Sequence, residues 1–199
     1  METLDFASSE EIDLKTRRNF LTFLCCTVLM GALTGSLAHA QDAKKPLPSP
    51  PEQASVSLGG HTITIKYGAP SMRGRKIFGG LVPYDRWWRT GANEATTLKT
   101  DVNLRIGDLG IPAGTYTLYT IPGEKGWTLI VNRQTGQWGT KYDQTQDLGR
   151  VKMVEGVLPS SPVETFEIKF EHTNDAKNTT ELHLKWETTN VYVGVTAVP

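Results

Sequence analysis

The sequence predicts an all-β fold: a single antiparallel β-sandwich or jelly-roll-like domain with a long irregular Arg/Trp-rich loop, a closed β-barrel being the alternative. Three observations carry this expectation. From Ser55 onward apolar and polar residues alternate with period two, the pattern of half-buried antiparallel strands. Turn signals rich in Gly, Pro and Asn recur between the alternating segments. No stretch beyond residue 40 shows helical periodicity. About nine short strands separated by frequent turns fit a sandwich or a barrel.

Residues 1–40 read as a targeting segment. Thr16-Arg17-Arg18-Asn19-Phe20 leads into an apolar run from Leu21 to Leu37, and Ala38-His39-Ala40 gives a small-x-small cleavage pattern. The Thr-Arg-Arg-x-Phe-Leu order resembles a twin-arginine export signal. That resemblance implies a domain that folds before export and a periplasmic or secreted destination. The run is short for a spanning helix, which needs about 20 apolar residues. Cleavage after Ala40 is therefore expected, with no membrane insertion afterwards. Cys25 and Cys26 both lie inside this segment. The rest of the chain has no disulfide, no thiolate metal site and no cysteine nucleophile.

Residues 41–54 contain Pro46, Pro48, Pro50 and Pro51 and read as an extended linker. Residues 55–199 are then one domain. Beyond residue 40 there are 18 basic and 16 acidic residues, a balance of +2. This is no footprint for nucleic acid or an anionic membrane.

The strands follow in order. His61–Tyr67 places Ile63, Ile65 and Tyr67 on one face. Further strands are expected near 98–106, 114–121, 127–132 and 151–157. Thr165–Glu171 points Phe166, Ile168 and Phe170 inward and Glu167 and Lys169 outward. Glu181–Glu187 points Leu182, Leu184 and Trp186 inward and His183 and Lys185 outward, and Val191–Val195 repeats the scheme. Gly59-Gly60 is a two-residue hairpin signal, Pro122–Gly126 a longer hairpin loop, and Thr188-Thr189-Asn190 a tight connection.

Two segments break the alternation, 68–97 and 137–150. The first holds Arg73, Arg75, Arg86 and Arg89, four of the seven arginines beyond residue 40, together with Phe78, Tyr84, Trp87, Trp88, Asn93 and Glu94. Long irregular segments in compact domains are usually functional or disordered, and the aromatic content argues against disorder. Guanidinium groups fork onto carboxylates or phosphates and stack on aromatic faces. The candidate ligand-binding residues are therefore Arg73, Arg75, Trp88, Arg89, Asn93 and Glu94, with Trp138 and Tyr142 from the second segment. A purely structural role competes with this reading. Arg75 or Arg89 would pair with Glu94 or Asp147 and pin the loop, Trp87 or Trp88 would plug the open end of the core, and Trp138 would pack beneath the loop.

Glu94 and Asp147 are the candidate catalytic carboxylates of a hydrolase, although no spacing fixes their separation. The three histidines beyond residue 40, His61, His172 and His183, lack His-x-His or His-Glu-x-x-His spacing. No metal site and no cofactor are expected. There is no Gly-x-Ser-x-Gly elbow and no P-loop.

Several strings carry a family resemblance. They are Arg73-Gly-Arg75, Ile77-Phe-Gly-Gly-Leu-Val-Pro-Tyr84, Trp88-Arg-Thr-Gly-Ala-Asn-Glu-Ala-Thr96, Ile111-Pro-Ala-Gly-Thr-Tyr116, Tyr119-Thr-Ile-Pro-Gly123, Trp138-Gly139 and Tyr142-Asp143. From about Ser55 to Thr196 the chain resembles the bacterial family called domain of unknown function 2911. The resemblance implies an exported, β-rich bacterial protein and brings no activity, ligand or catalytic residue. The first functional expectation is a non-catalytic binding module for a small polar ligand, a sugar or an organic anion. The alternatives are a hydrolase using the carboxylate pair and a structural or envelope-interaction protein.

Overall fold

The computed structural model describes residues 48–199. The targeting segment, its cleavage site and most of the linker lie outside the described residues. Eleven strands form one antiparallel sheet. They are β1 (Pro51–Leu58), β2 (His61–Gly68), β3 (Ala92–Thr100), β4 (Asn103–Ile106), β5 (Leu109–Ile111), β6 (Gly114–Ile121), β7 (Trp127–Asn132), β8 (Asp147–Glu155), β9 (Val163–Asn174), β10 (Thr179–Glu187) and β11 (Thr189–Val198). Neighbours follow the path β1-β2-β3-β6-β7-β8-β11-β10-β9, with β4 set between β11 and β5. The end strands β1 and β9 come together, so the sheet is nearly a closed barrel. β8 is the strand that joins its two halves. Asp147–Met153 pair with β7, and Val154 and Glu155 pair with β11. No helix among the described residues is long and apolar enough to cross a membrane.

Alternation decides the core. Ile63 and Ile65 of β2, Leu98 of β3, Leu118 of β6, Leu129 and Val131 of β7 and Val193 of β11 are all buried. Phe166, Ile168, Leu182, Leu184 and Trp186 join them, as expected from their spacing. Phe170, near the end of β9, is only partly buried against this cluster. Glu167 and Lys169 face outward and pair at 2.7 Å. His183 also lies on the outer face, yet it is 3% exposed rather than solvated. Tyr192 stacks on its ring, with centroids 5.0 Å apart.

Turn chemistry sets the first register. Gly59 and Gly60 have φ of 58° and 83°, as a tight two-residue hairpin demands, and β1 pairs with β2 from Leu58↔His61 to Pro51↔Gly68. Pairing therefore begins at Pro51, and residues 51–54 are strand rather than linker. A proline is accepted there because it is the first residue of an end strand. The strand expected at 98–106 is in fact two. The Thr100 hydroxyl donates to the Val102 carbonyl at 2.7 Å and accepts the Val102 N–H at 3.2 Å, and this turn sends β4 to β11 rather than β6. The strand expected at 151–157 is β8, which starts earlier, at Asp147.

Candidate functional site

The Arg/Trp-rich connection runs from Ala69 to Gly91, shorter than 68–97, because Asn93 and Glu94 already belong to β3. It is fastened at both ends of its course. Met72 N–H donates to Glu164 O at 2.7 Å, and Phe166 N–H to Pro70 O at 2.9 Å, tying the first part to β9. Trp88 N–H donates to Thr120 O at 2.7 Å, and Thr120 N–H to Trp88 O at 2.9 Å, tying the second part to β6. Between these ties Ile77, Phe78 and Val82 are buried. The Trp88 ring sits among Phe78, Trp127, Phe166 and Trp186 at centroid distances of 5.1–6.4 Å. Trp88 thus closes the aromatic end of the core, and its ring geometries are those favoured by the aromatic quadrupole.

The arginines do not find the expected carboxylates. Arg75 donates from Nε to Met72 O (2.9 Å) and from Nη2 to Ser71 O (2.7 Å). Arg89 donates from Nε to Gly91 O at 3.2 Å. Arg73 reaches Pro48 O at 2.8 Å while its backbone N–H meets Glu164 Oε1 at 2.8 Å. Among the described residues, no salt bridge joins Arg75 or Arg89 to Glu94 or Asp147. The guanidiniums stitch loop backbone instead, where carbonyls without strand partners need donors.

Asp147 is held elsewhere. Its Oδ1 accepts from Asn132 Nδ2 at 2.9 Å. Its Oδ2 accepts from Tyr142 OH at 2.8 Å and from Arg150 Nε and Nη2 at 3.0 and 2.8 Å. Burial, followed by the hydrogen bond to Asp147, pushes the Tyr142 phenol up to about 12. Tyr142 packs against Tyr119 and Trp87, with centroids 4.7 and 5.0 Å away. This network knits the 137–150 segment to β7. The structure does not pair Asp147 with Glu94.

The two irregular segments nevertheless meet. Ala95 N–H donates to Gln137 O at 3.2 Å and Gly139 N–H to Asn93 O at 3.0 Å, so Glu94 and Trp138 form an isolated antiparallel bridge. The backbone is crowded here. A Cβ on Gly68 would lie 2.3 Å from Ala92 O, and one on Gly139 would lie 2.8 Å from both Asn93 O and Arg89 Cδ. Asn93 takes φ of 63°, and its Nδ2 donates to Ser49 O at 3.1 Å.

Beside this seam lies an open cleft of about 1040 Å³, bordered by Glu52, Lys66, Asn93, Glu94, Thr97 and Trp138. Trp138 is 47% exposed; it does not pack beneath the loop. Across the seam a smaller hollow of about 410 Å³ is lined by Arg75, Trp87, Trp88, Arg89 and Thr140. The expected binding set is therefore divided. Asn93, Glu94 and Trp138 face the large cleft, Arg75, Trp88 and Arg89 the small hollow. Arg73 and Tyr142 line neither.

Sequence reasoning missed Glu52 and Lys66 of the cleft, and read Thr97 as the end of the irregular segment although it belongs to β3. Glu52 and Lys66 occupy ordinary outward positions of alternating strands, and only the β1-β2-β3 pairing brings them beside Trp138.

A family model described as a protein of unknown function, DUF2911, matches residues 49–195. The chain belongs to the DUF2911 family. The matched span opens just before β1 and ends within β11, so the DUF2911 pattern takes in the near-barrel and both irregular segments. No curated protein and no solved structure matches the chain.

Proposed function

We propose that this DUF2911 protein is a non-catalytic binding module that takes a neutral saccharide in the cleft beside Trp138. The exposed indole next to an open cleft is the observation that supports it most. An aromatic face is apolar and flat, which suits the C–H face of a sugar ring, while surrounding polar groups meet its hydroxyls. Glu52 and Glu94 can accept, and Lys66 and Asn93 can donate. The charge balance favours the sugar over the organic anion. Two carboxylates against one ammonium disfavour an organic anion, and the arginines that would suit an anion line the other hollow. The cleft matches the upper end of small-molecule sites, about 300–1,000 Å³. A carboxylate-pair hydrolase draws no support, because the Asp147 oxygens are engaged by Asn132, Tyr142 and Arg150.

Calorimetric titration with maltotriose, cellotriose and xylotriose, beside citrate and succinate, tests the reading. At least one neutral trisaccharide should bind, Trp138→Ala should abolish that binding, and the carboxylates should give no heat. Binding of citrate or succinate alone would overturn it. We further propose that the protein acts after export, on the strength of Arg17-Arg18 ahead of the apolar run. Arg17→Lys with Arg18→Lys should trap precursor in the cytoplasm, and unchanged export of that double variant would remove the twin-arginine assignment.

A further inference from the structure

The outer face of β9-β10-β11 carries a cluster that the cleft does not use. Ligand atoms of His172, Glu181 and His183 all lie within 4.8 Å of one another. Glu181 Oε2 is 2.7 Å from His172 Nδ1 and 3.0 Å from His183 Nε2.

The backbone arranges this meeting. Glu181 pairs with Glu171 and His183 with Lys169, so Glu181 and His183 share one face by simple alternation. His172 belongs to the other face. Between Thr179↔Asn174 and Glu181↔Glu171 the register shifts, leaving His172 and Thr173 opposite Thr180 alone. His172 also takes φ of 51°. A bulge of this kind re-aims a side chain, and here it turns an imidazole toward Glu181.

The surroundings fix the chemistry of His183. Asn190 Nδ2 donates to Val157 O at 2.8 Å. Its Oδ1 is thereby directed at His183 Nδ1, 2.9 Å away. An amide oxygen only accepts, so His183 Nδ1 carries hydrogen and the neutral ring presents its lone pair from Nε2. That lone pair faces the Glu181 carboxylate, and two electron-rich atoms at hydrogen-bond distance require a cation between them. An outer partner that sets the tautomer in this way is characteristic of histidine metal ligands. The ring is nine-tenths buried and stacked under Tyr192, while the His172 side chain is 71% exposed. Glu171 also lies near, with Oε2 3.7 Å from His183 Nδ1, but its Oε1 is bound by Lys185 Nζ at 2.6 Å.

We propose that His172 Nδ1, Glu181 Oε2 and His183 Nε2 bind one divalent transition-metal ion of borderline softness. Two imidazoles and one carboxylate suit Zn²⁺ and its neighbours rather than Ca²⁺ or Mg²⁺. With bonds of about 2.1 Å, tetrahedral donors stand about 3.4 Å apart, so Glu181 Oε2, now 2.7 and 3.0 Å from the two imidazole nitrogens, needs to draw back from them by about half an ångström. The exposed side of His172 leaves room for water as the remaining ligand.

The test uses the exported form of the chain without a polyhistidine tag, titrated with ZnCl₂ by calorimetry and with CoCl₂ by visible absorption. One Zn²⁺ per chain is expected, with Co²⁺ giving the ligand-field bands of a low-coordinate nitrogen–oxygen site. His172→Ala changes an exposed side chain and should leave folding intact, so it carries the test; it and Glu181→Gln should each weaken Zn²⁺ binding by about tenfold or more, as should Asn190→Ala through the ring it orients. His61→Ala removes a histidine that pairs instead with Asp101 and should change nothing. Absence of Zn²⁺ binding by the unaltered chain would overturn the proposal and leave a proton as the cation between His183 and Glu181. Zn²⁺ binding that survives both His172→Ala and Glu181→Gln would overturn it equally.

Discussion

Trp88→Ala tests whether the Arg/Trp-rich connection is part of the core. The ring touches Phe78, Trp127, Phe166 and Trp186 and stacks on the last at an interplanar angle of 18°. Truncating a fully buried tryptophan to alanine costs about 3–5 kcal/mol. Trp88 is only half-buried, which lowers the transfer part of that cost. Its four aromatic neighbours restore some of it, since such pairs are worth about 0.5–1.5 kcal/mol each and overlap rather than add. The two backbone hydrogen bonds to Thr120 survive in the variant. The balance is about 3 kcal/mol. For a domain of about 150 residues this lowers Tm by roughly 6–12 °C. Urea unfolding followed by circular dichroism should show a lower midpoint with an unchanged m-value, and Trp88→Phe should recover part of the loss. A cost under about 1 kcal/mol, the scale of surface changes, would refute the plug and return Trp88 to the list of ligand contacts.

Asp147→Ala should be comparably damaging, at about 2–3 kcal/mol, because charge-assisted hydrogen bonds from Arg150 and Tyr142 and the Asn132 amide all lose their acceptor; urea unfolding measures it, and a neutral result would reopen a catalytic role. Arg89→Ala should cost less than about 0.5 kcal/mol, since among the described residues the guanidinium meets one loop carbonyl and no carboxylate; a loss of several kcal/mol would mean that it has a charged partner after all. Tyr142 gives a pH signature. Its phenol holds its proton more tightly in the folded chain than in the unfolded one, where ionisation falls near 10. Its stabilising contribution is therefore complete below pH 10 and is lost as the pH rises from 10 through about 12. Burial raises Tyr67 and Tyr119 as well, so ultraviolet titration should show several tyrosines ionising late, and Tyr142→Phe should remove the part of that late absorbance that rises near pH 12.

Much of the fold was legible because one face of each strand is buried. Alternation then assigns side chains with no knowledge of neighbours, and it placed Phe166, Ile168, Leu182, Leu184 and Trp186 in the core. It also marked the two irregular segments as the places where the sheet pattern fails, and these do meet. What local pattern does not encode is partner choice. Arg75 and Arg89 look alike whether they face a carboxylate or a carbonyl. Asp147 looks like part of a loop until its pairing with Asn132 makes it the start of β8. Phe170 obeys the alternation, yet on the end strand β9 it is covered only in part. His183 reads as solvated because its burial comes largely from Tyr192, Asn190 and Glu171 on adjoining strands. The bulge that brings His172 beside it has no signature in the alternation. Glu52 and Lys66 of the cleft were unreadable for the same reason: their meaning lies in β-sheet register, which joins residues distant in sequence.

The cleft beside Trp138, and not the arginine-lined hollow, is the proposed saccharide site. Backbone and indole NMR shift mapping, with whichever of maltotriose, cellotriose or xylotriose binds tightest, tests it most directly. The Trp138 indole and the amides of Glu52, Lys66, Asn93 and Glu94 should move together and saturably, while those of Arg75, Trp88 and Arg89 stay in place. Shifts confined to Arg75, Trp88 and Arg89, or no saturable shift with any of the three sugars, would contradict it.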